Sequence, residues 1–121
     1  MQYLFLLYSD ETKNPEPPTD PVAFAEWMAP WAAYNAALVA AGVMRGGNAL
    51  MPTGSATTLS RAAGAVVTTD GPFAETAEQL GGYYLVECDS LDEALKWAQR
   101  CPMIHYGKVE VRPIMPTDPP G

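Results

Sequence analysis

Positive charge is scarce in this chain. Seven Lys and Arg residues stand against fourteen Asp and Glu, a net charge of -7. The seven are scattered from Lys13 to Arg112 rather than gathered on one segment. A protein that grips nucleic acid needs clustered cations to displace counterions from phosphates. Direct contact with DNA or RNA is therefore not expected, and neither is docking on an anionic membrane surface. Long apolar runs are missing too. Tyr3 to Tyr8 is apolar but too short for a membrane span or a signal-peptide core, and no cationic stretch precedes it. A cytoplasmic location is expected. Histidine occurs once, as His105, and cysteine twice, as Cys88 and Cys101. One histidine and two distant cysteines offer no metal-ligand spacing, so neither metal nor cofactor is expected. In a reducing compartment the two thiols need no disulfide. Cys88 reads as a buried strand residue. Cys101 precedes Pro102 at a helix end, with nothing nearby to lower its pKa. No phosphate-binding loop is present, since Gly46-Gly47 lacks the required spacing.

What is present is enough apolar material for a core. Hydrophobic residues make up 48% of the 121 positions, which suits one packed domain rather than two or a disordered chain. The domain is expected over residues 1–114, followed by a frayed proline-rich tail over 115–121.

The opening run to Tyr8 predicts a strand that is apolar on both sides. Ser9 to Asp20 is polar and proline-rich and reads as a loop. Asp20-Pro21 is an N-cap with proline at the first helical position, and Gly42 suits the far end of the helix it starts. Phe24, Trp27, Met28, Trp31, Leu38 and Ala41 recur at helical steps and predict its buried face. Pro30 predicts a kink there or a restart. Gly42 to Leu50 reads as a strand in which Gly46-Gly47 marks a bulge or a close backbone approach. Thr57 to Ser60 and Ala65 to Thr69 read as short strands around Gly64. Gly82 to Cys88 is another strand, largely apolar on both faces. Ser90 to Glu93 is a capping box that opens a helix to about Arg100, with Leu91, Ala94, Leu95 and Ala98 turned inward. Gly107 to Ile114 closes the chain as a strand with one wet side.

The order β-α-β-(β)-β-α-β predicts an α+β domain: a ferredoxin-like antiparallel sheet with two helices on one face. Two helices cover one face only, yet two of the strands are apolar on both. A second copy of the same sheet is the simplest cover, so a homodimer is expected, paired as a dimeric α/β barrel.

Chemistry, if any, points to Asp70 through Glu78. Asp70 could act as a general base at a strand end, with Glu75 or His105 as its acid. The favoured reading is that Asp70-Gly71-Pro72 is turn chemistry, in which the carboxylate caps backbone N–H groups and the glutamates stay solvated. His105 is as well explained as a surface or packing residue. Trp27, Trp31, Tyr34, Tyr83 and Tyr84 could be plain core or could line an apolar pocket between helix and sheet.

The run Thr69 to Cys88, TDGPFAETAEQLGGYYLVEC, resembles the motif that defines the DGPF branch of the YCII-related domain family. The resemblance extends over roughly Met1 to Ile114. It implies the same ferredoxin-like dimeric barrel. It implies little about activity: many members have none established, and some are associated with transcription through neighbouring genes. Relatives in the wider family carry a histidine–aspartate pair in the dimer cleft, one of them a dehydrochlorinase. The matching positions here are Trp31 and Cys101, and the lysine frequent in the DGPF branch is Ala77. Two functions follow. The first is a dimeric binding or regulatory module whose site would use Trp31, Gly71, Pro72, Phe73, Glu78 and Tyr83 to hold a small molecule or partner protein. The second is a lyase, isomerase or dehalogenase in which Asp70, Glu75 and His105 do acid–base work.

Overall fold

A computed structural model describes residues 1–119. Six strands and two helices follow one another: β1 (Gln2–Ser9), α1 (Pro21–Ala40), β2 (Met44–Ala49), β3 (Thr57–Ala62), β4 (Ala65–Asp70), β5 (Gln79–Glu87), α2 (Leu91–Gln99) and β6 (Lys108–Pro113). Single 3₁₀ turns at Glu11–Lys13, Thr53–Ser55 and Pro102–His105 had no signal in the sequence pattern. The long strands form one antiparallel sheet in the order β2-β5-β1-β6. Thus α1 carries the chain from β1 past β5 to β2, and α2 carries it from β5 past β1 to β6. The expected mixed α+β architecture, with two helices and antiparallel pairing, is present. Strands β3 and β4 pair only with each other, as a separate ribbon.

The helix ends follow local chemistry. The Asp20 carboxylate accepts the Ala23 N–H at 2.9 Å, with Pro21 in the first turn. Gly42, at φ +74°, ends α1 in the left-handed region. The Ser90 hydroxyl accepts the Glu93 N–H at 3.2 Å, and the Glu93 carboxylate accepts the Asp89 N–H at 2.9 Å. The reciprocal bond of the capping box thus goes one residue before the cap. α1 does not restart at Pro30: one helix runs through it. Pro30 is exposed, so water can meet the Glu26 carbonyl that it leaves unpaired.

The core lies between the helices and one sheet face. Tyr3, Phe5 and Leu7 of β1, Tyr84 and Val86 of β5, Tyr34 and Leu38 of α1, and Ala94 and Ala98 of α2 are buried together. Full burial of Phe5, Leu38 and Val86 contributes roughly 1.5–3 kcal/mol each. Two expected helix faces need correction. Phe24, Trp27 and Ala41 are exposed, because the first ten residues of α1 bury no side chain. Phe24 and Trp27 pack on each other instead, with ring centres 5.8 Å apart. Tyr34 takes the inward place and donates to the Trp97 carbonyl at 2.8 Å, which ties α1 to α2. Leu91 and Leu95 are likewise exposed. Leu91 sits at the open end of α2, and Leu95 lies about 100° around the helix from Ala94. The glycine pair behaves as expected. The β2–β5 register slips between Met44 and Gly46, and a Cβ on Gly47 would meet the Tyr84 ring at 2.9 Å.

Strand alternation places Leu4, Leu6 and Tyr8 of β1 with Leu80, Tyr83 and Leu85 of β5 on the second sheet face. Lys108, Glu110 and Arg112 of β6 stand opposite Tyr8, Leu6 and Leu4. The apolar six are half-buried, and neither helix covers them.

Burial perturbs several acids of the core. Tyr34 and Tyr84 meet edge to face at 5.3 Å, and the Tyr84 hydroxyl donates to Asn35 Oδ1 at 2.5 Å. Burial, and next the nearby Cys101, pushes Tyr84 up to about 12 and raises Tyr34 as well. Burial also raises Cys88 and Cys101. An acid whose folded pKa is raised keeps its proton where the unfolded chain loses it. Its contribution is intact below the unfolded pKa and is lost above it. Urea unfolding should therefore show stability falling from near pH 9, the ordinary thiol value, onward to about 12. Tyr84→Phe should show a shallower alkaline fall; an unchanged slope would remove Tyr84 from this account.

Candidate functional site

At the base of the β3–β4 ribbon the chain turns sharply. Asp70 ends β4 opposite Thr57, and Gly71 follows at φ +93°, which favours glycine. The turn is closed by the Gly71 N–H donating to the Ala56 carbonyl at 2.6 Å and by the Thr58 hydroxyl donating to the Gly71 carbonyl at 2.8 Å. The Asp70 carboxylate takes no part in this closure.

The segment that follows is held by side chains. The Thr76 hydroxyl donates to the Glu78 carbonyl at 2.5 Å, and Gln79 Nε2 donates to the Thr76 carbonyl at 2.6 Å. Gln79 Oε1 accepts the Glu11 N–H at 2.9 Å. The Glu11 carboxylate then grips Thr53 twice, accepting its N–H at 2.9 Å and its hydroxyl at 2.8 Å. Beside Glu11, the Thr12 hydroxyl and N–H hold the Asp10 carboxyl below its ordinary value. Glu78 pairs with Lys108 at the start of β6. One network thus fixes three loops.

These loops enclose an open cleft of about 400 Å³, lined by Thr53, Asp70, Pro72, Ala74, Glu75, Thr76 and Gln79. Its two carboxylates, Asp70 and Glu75, are exposed and make no hydrogen bond or ion pair among the described residues. The cleft is therefore rich in acceptors and carries negative charge with no cation on its walls. It suits a group that donates hydrogen bonds or bears positive charge.

The structure brings Asp70, Pro72 and Glu75 to this cleft and places the other candidates around or away from it. Gly71 shapes the turn. Phe73 is 89% exposed and does not line the cleft. Glu78 is occupied by Lys108. His105 is exposed on the third 3₁₀ turn and is not on the cleft wall. Tyr83 lies on the open sheet face, where its hydroxyl accepts from Asn48 Nδ2 at 2.9 Å. Trp31 packs on the core at the opposite face. Sequence reasoning missed Glu11, Thr53, Thr76 and Gln79. Glu11 and Thr53 are 42 residues apart and share no motif; only the folded chain joins them.

Among the described residues no helix is long and apolar enough to cross a membrane. The sheet order and the cleft define a small α+β domain with an acidic, solvent-open site. The chain belongs to the YCII-related domain family, whose model matches residues 1–118. It is also similar to an uncharacterized protein of Rhizobium meliloti (strain 1021), 51% identical over 67 residues. That match spans 54% of this chain, and the chain covers only 54% of the relative.

Proposed function

We propose that this protein is a cytoplasmic homodimer of the DGPF branch, a ferredoxin-like dimeric barrel closed through the open sheet face, that binds a small molecule in a regulatory role. The ligand is a cationic or hydrogen-bond-donating organic molecule held at the Asp70 cleft. The observation that carries the reading is the pair of unpartnered carboxylates, Asp70 and Glu75, on walls fixed by the Glu11–Thr53–Gln79 network. The half-buried row from Leu4 to Leu85 supports the dimer, since an uncovered apolar face of this kind calls for a partner.

Binding is preferred to turnover on geometric grounds. Acid–base catalysis needs a second titratable group within reach of the transferred proton and a site shielded from water. His105 is off the wall, and the cleft is open. A lyase, isomerase or dehalogenase reading would have to rest on Asp70 and Glu75 alone.

The test is a thermal-shift screen of primary amines, guanidines and amino sugars, followed by calorimetry on the hits. At least one should raise the melting temperature of the wild type. Asp70→Asn with Glu75→Gln should weaken it about tenfold or more, the loss of roughly 1.5–3 kcal/mol that charged hydrogen bonds supply. Equal affinity in the double variant would refute the site.

A further inference from the structure

The β3–β4 ribbon is more regular than its surroundings require. Its ladder runs unbroken through six residue pairs, from Thr57 opposite Asp70 to Ala62 opposite Ala65. Ala63 at φ +50° and Gly64 at φ +80° close it with the mirror-image turn that matches strand twist. Alanine in that region costs about 1 kcal/mol. Yet every residue of β4, and all of β3 except Thr58, is exposed. A two-stranded hairpin with no cover is marginal in water.

The β4 edge of the ribbon is also unguarded up to Asp70. Among residues 51–69, Arg61 is the only charged one. Neither strand holds proline, lysine or a register slip, the usual devices that blunt an edge. Ala65, Val66, Val67, Thr68 and Thr69 form an uncharged, largely β-branched run. Ala62 and Ala65 flank the turn, and the Gly71 N–H bonds the Ala56 carbonyl at the other end. Ladder alternation then turns the Ala65, Val67 and Thr69 amides toward β3 and leaves those of Val66, Thr68 and Asp70 pointing outward.

We propose that the outward edge of β4 pairs antiparallel with the same edge of a second copy, making a four-stranded ribbon across a two-fold axis. Three observations select a second copy as the occupant. The chain exposes 8538 Å², whereas a compact monomer of 13.0 kDa exposes about 6,300 Å². The excess of roughly 2,200 Å² is spread over the chain and includes this ribbon, whose strands are exposed throughout except at Thr58; it leaves room for an interface of ordinary size, ~800 Å² per partner. The net charge of -7 opposes contact between copies at most surfaces, and this edge is free of acid up to Asp70. Antiparallel pairing of identical strands sets the two Asp70 carboxylates at opposite ends, and the contact is self-complementary, as a two-fold requires.

Amide exchange by NMR, with sedimentation on the same samples, tests this independently of the sheet-face dimer. In concentrated wild type the Val66 and Thr68 amides should exchange at least about tenfold more slowly than free amides and speed up on dilution. Thr68→Pro removes an outward N–H and leaves the internal ladder its bonds, so it should lose both the Val66 protection and one step of mass. Leu59→Pro, the equivalent change on the β3 edge, should keep both. Leu6→Glu, on the open sheet face, should lower the mass and keep the Val66 protection. If Leu6→Glu leaves the mass unchanged while Thr68→Pro lowers it, the sheet-face dimer fails and the ribbon pairing stands. Free exchange at Val66 and Thr68 in the wild type, or protection that survives Thr68→Pro, overturns the proposal; so does release by Leu59→Pro.

Discussion

Gly107→Ala is expected to lower the melting temperature by about 10 °C or more, as if a core side chain had been lost. A Cβ at this position would run into the Tyr8 carbonyl oxygen, and it would lie 2.7 Å from Met103 Sδ. The Tyr8 backbone cannot yield, and the Met103 side chain has little room to. Tyr8 is held on both sides, by Leu80 of β5 and by Lys108 of β6. Met103 is buried, and its carbonyl accepts the Gly107 N–H at 2.7 Å. Overpacking usually costs about 1–3 kcal/mol, and a clash with fixed backbone belongs at the top of that range. At roughly 3–6 °C per kcal/mol for a chain of this size, the loss should be plain in a thermal melt. Gly42→Ala is the matched control. It has open space but φ +74°, so it should cost only about 1 kcal/mol. Equal melting temperatures for the two variants would mean that the backbone around Tyr8 gives way easily. The effect reaches the cleft, because Gly107 precedes Lys108, whose ion pair with Glu78 steadies one end of the cleft segment.

The sequence made some of this legible and hid the rest for identifiable reasons. Strand positions were readable because β1 and β5 are short, continuously apolar runs bounded by polar or turn residues; the period-two burial that turns Tyr3, Phe5 and Leu7 inward together shows only in the folded chain. Caps were readable because Asp20, Gly42 and Ser90 act on backbone groups within four residues of themselves. Burial along α1 was not. Its apolar residues are spread around the whole helix, so spacing alone could not choose Tyr34 over Trp27. That choice depends on where α1 ends above the sheet. The cleft was half-legible. The Asp70-Gly71-Pro72 turn stood out by composition, and Glu75 lies close to it in sequence. The opposite wall depends on Glu11 reaching Thr53 and Gln79, contacts across loops that no local pattern encodes. The separation of Tyr83 from Trp31 was hidden for another reason. Two aromatic residues on a helix and a strand look equally suited to one pocket until the register assigns them to opposite faces.

Cys101→Asp should be the most damaging polar change in the chain and should tell whether acid–base chemistry fits at this position. The resemblance to the wider family places an aspartate here and a histidine at Trp31. Cys101 is wholly buried within the core that Trp31 packs against, and burial already raises its thiol pKa. A carboxylate there would lose its water. Two of the three phenols that feel Cys101 have committed their protons, Tyr34 to the Trp97 carbonyl and Tyr84 to Asn35; the third, Tyr106, is hydrogen-bonded with Trp31. An uncompensated buried charge costs about 3–5 kcal/mol. Its pKa would therefore sit above the ordinary aspartate value of about 3.9. By linkage the penalty is absent below the unfolded pKa, grows as pH rises from there to the folded one, and is complete above it. Urea unfolding should thus find Cys101→Asp much weaker than the wild type at pH 8 and visibly recovered at pH 5. Trp31→His in the same chain would offer a donor or a cation. It should return on the order of 1 kcal/mol beyond additivity if the two side chains can meet. A Cys101→Asp protein as stable as the wild type at pH 8 would mean that water reaches this pocket, and the family's acid–base pair could then be rebuilt. The expected loss would mean instead that this position holds a dry thiol packed near an indole, and that the histidine–aspartate pair implied by the resemblance cannot be installed here without cost.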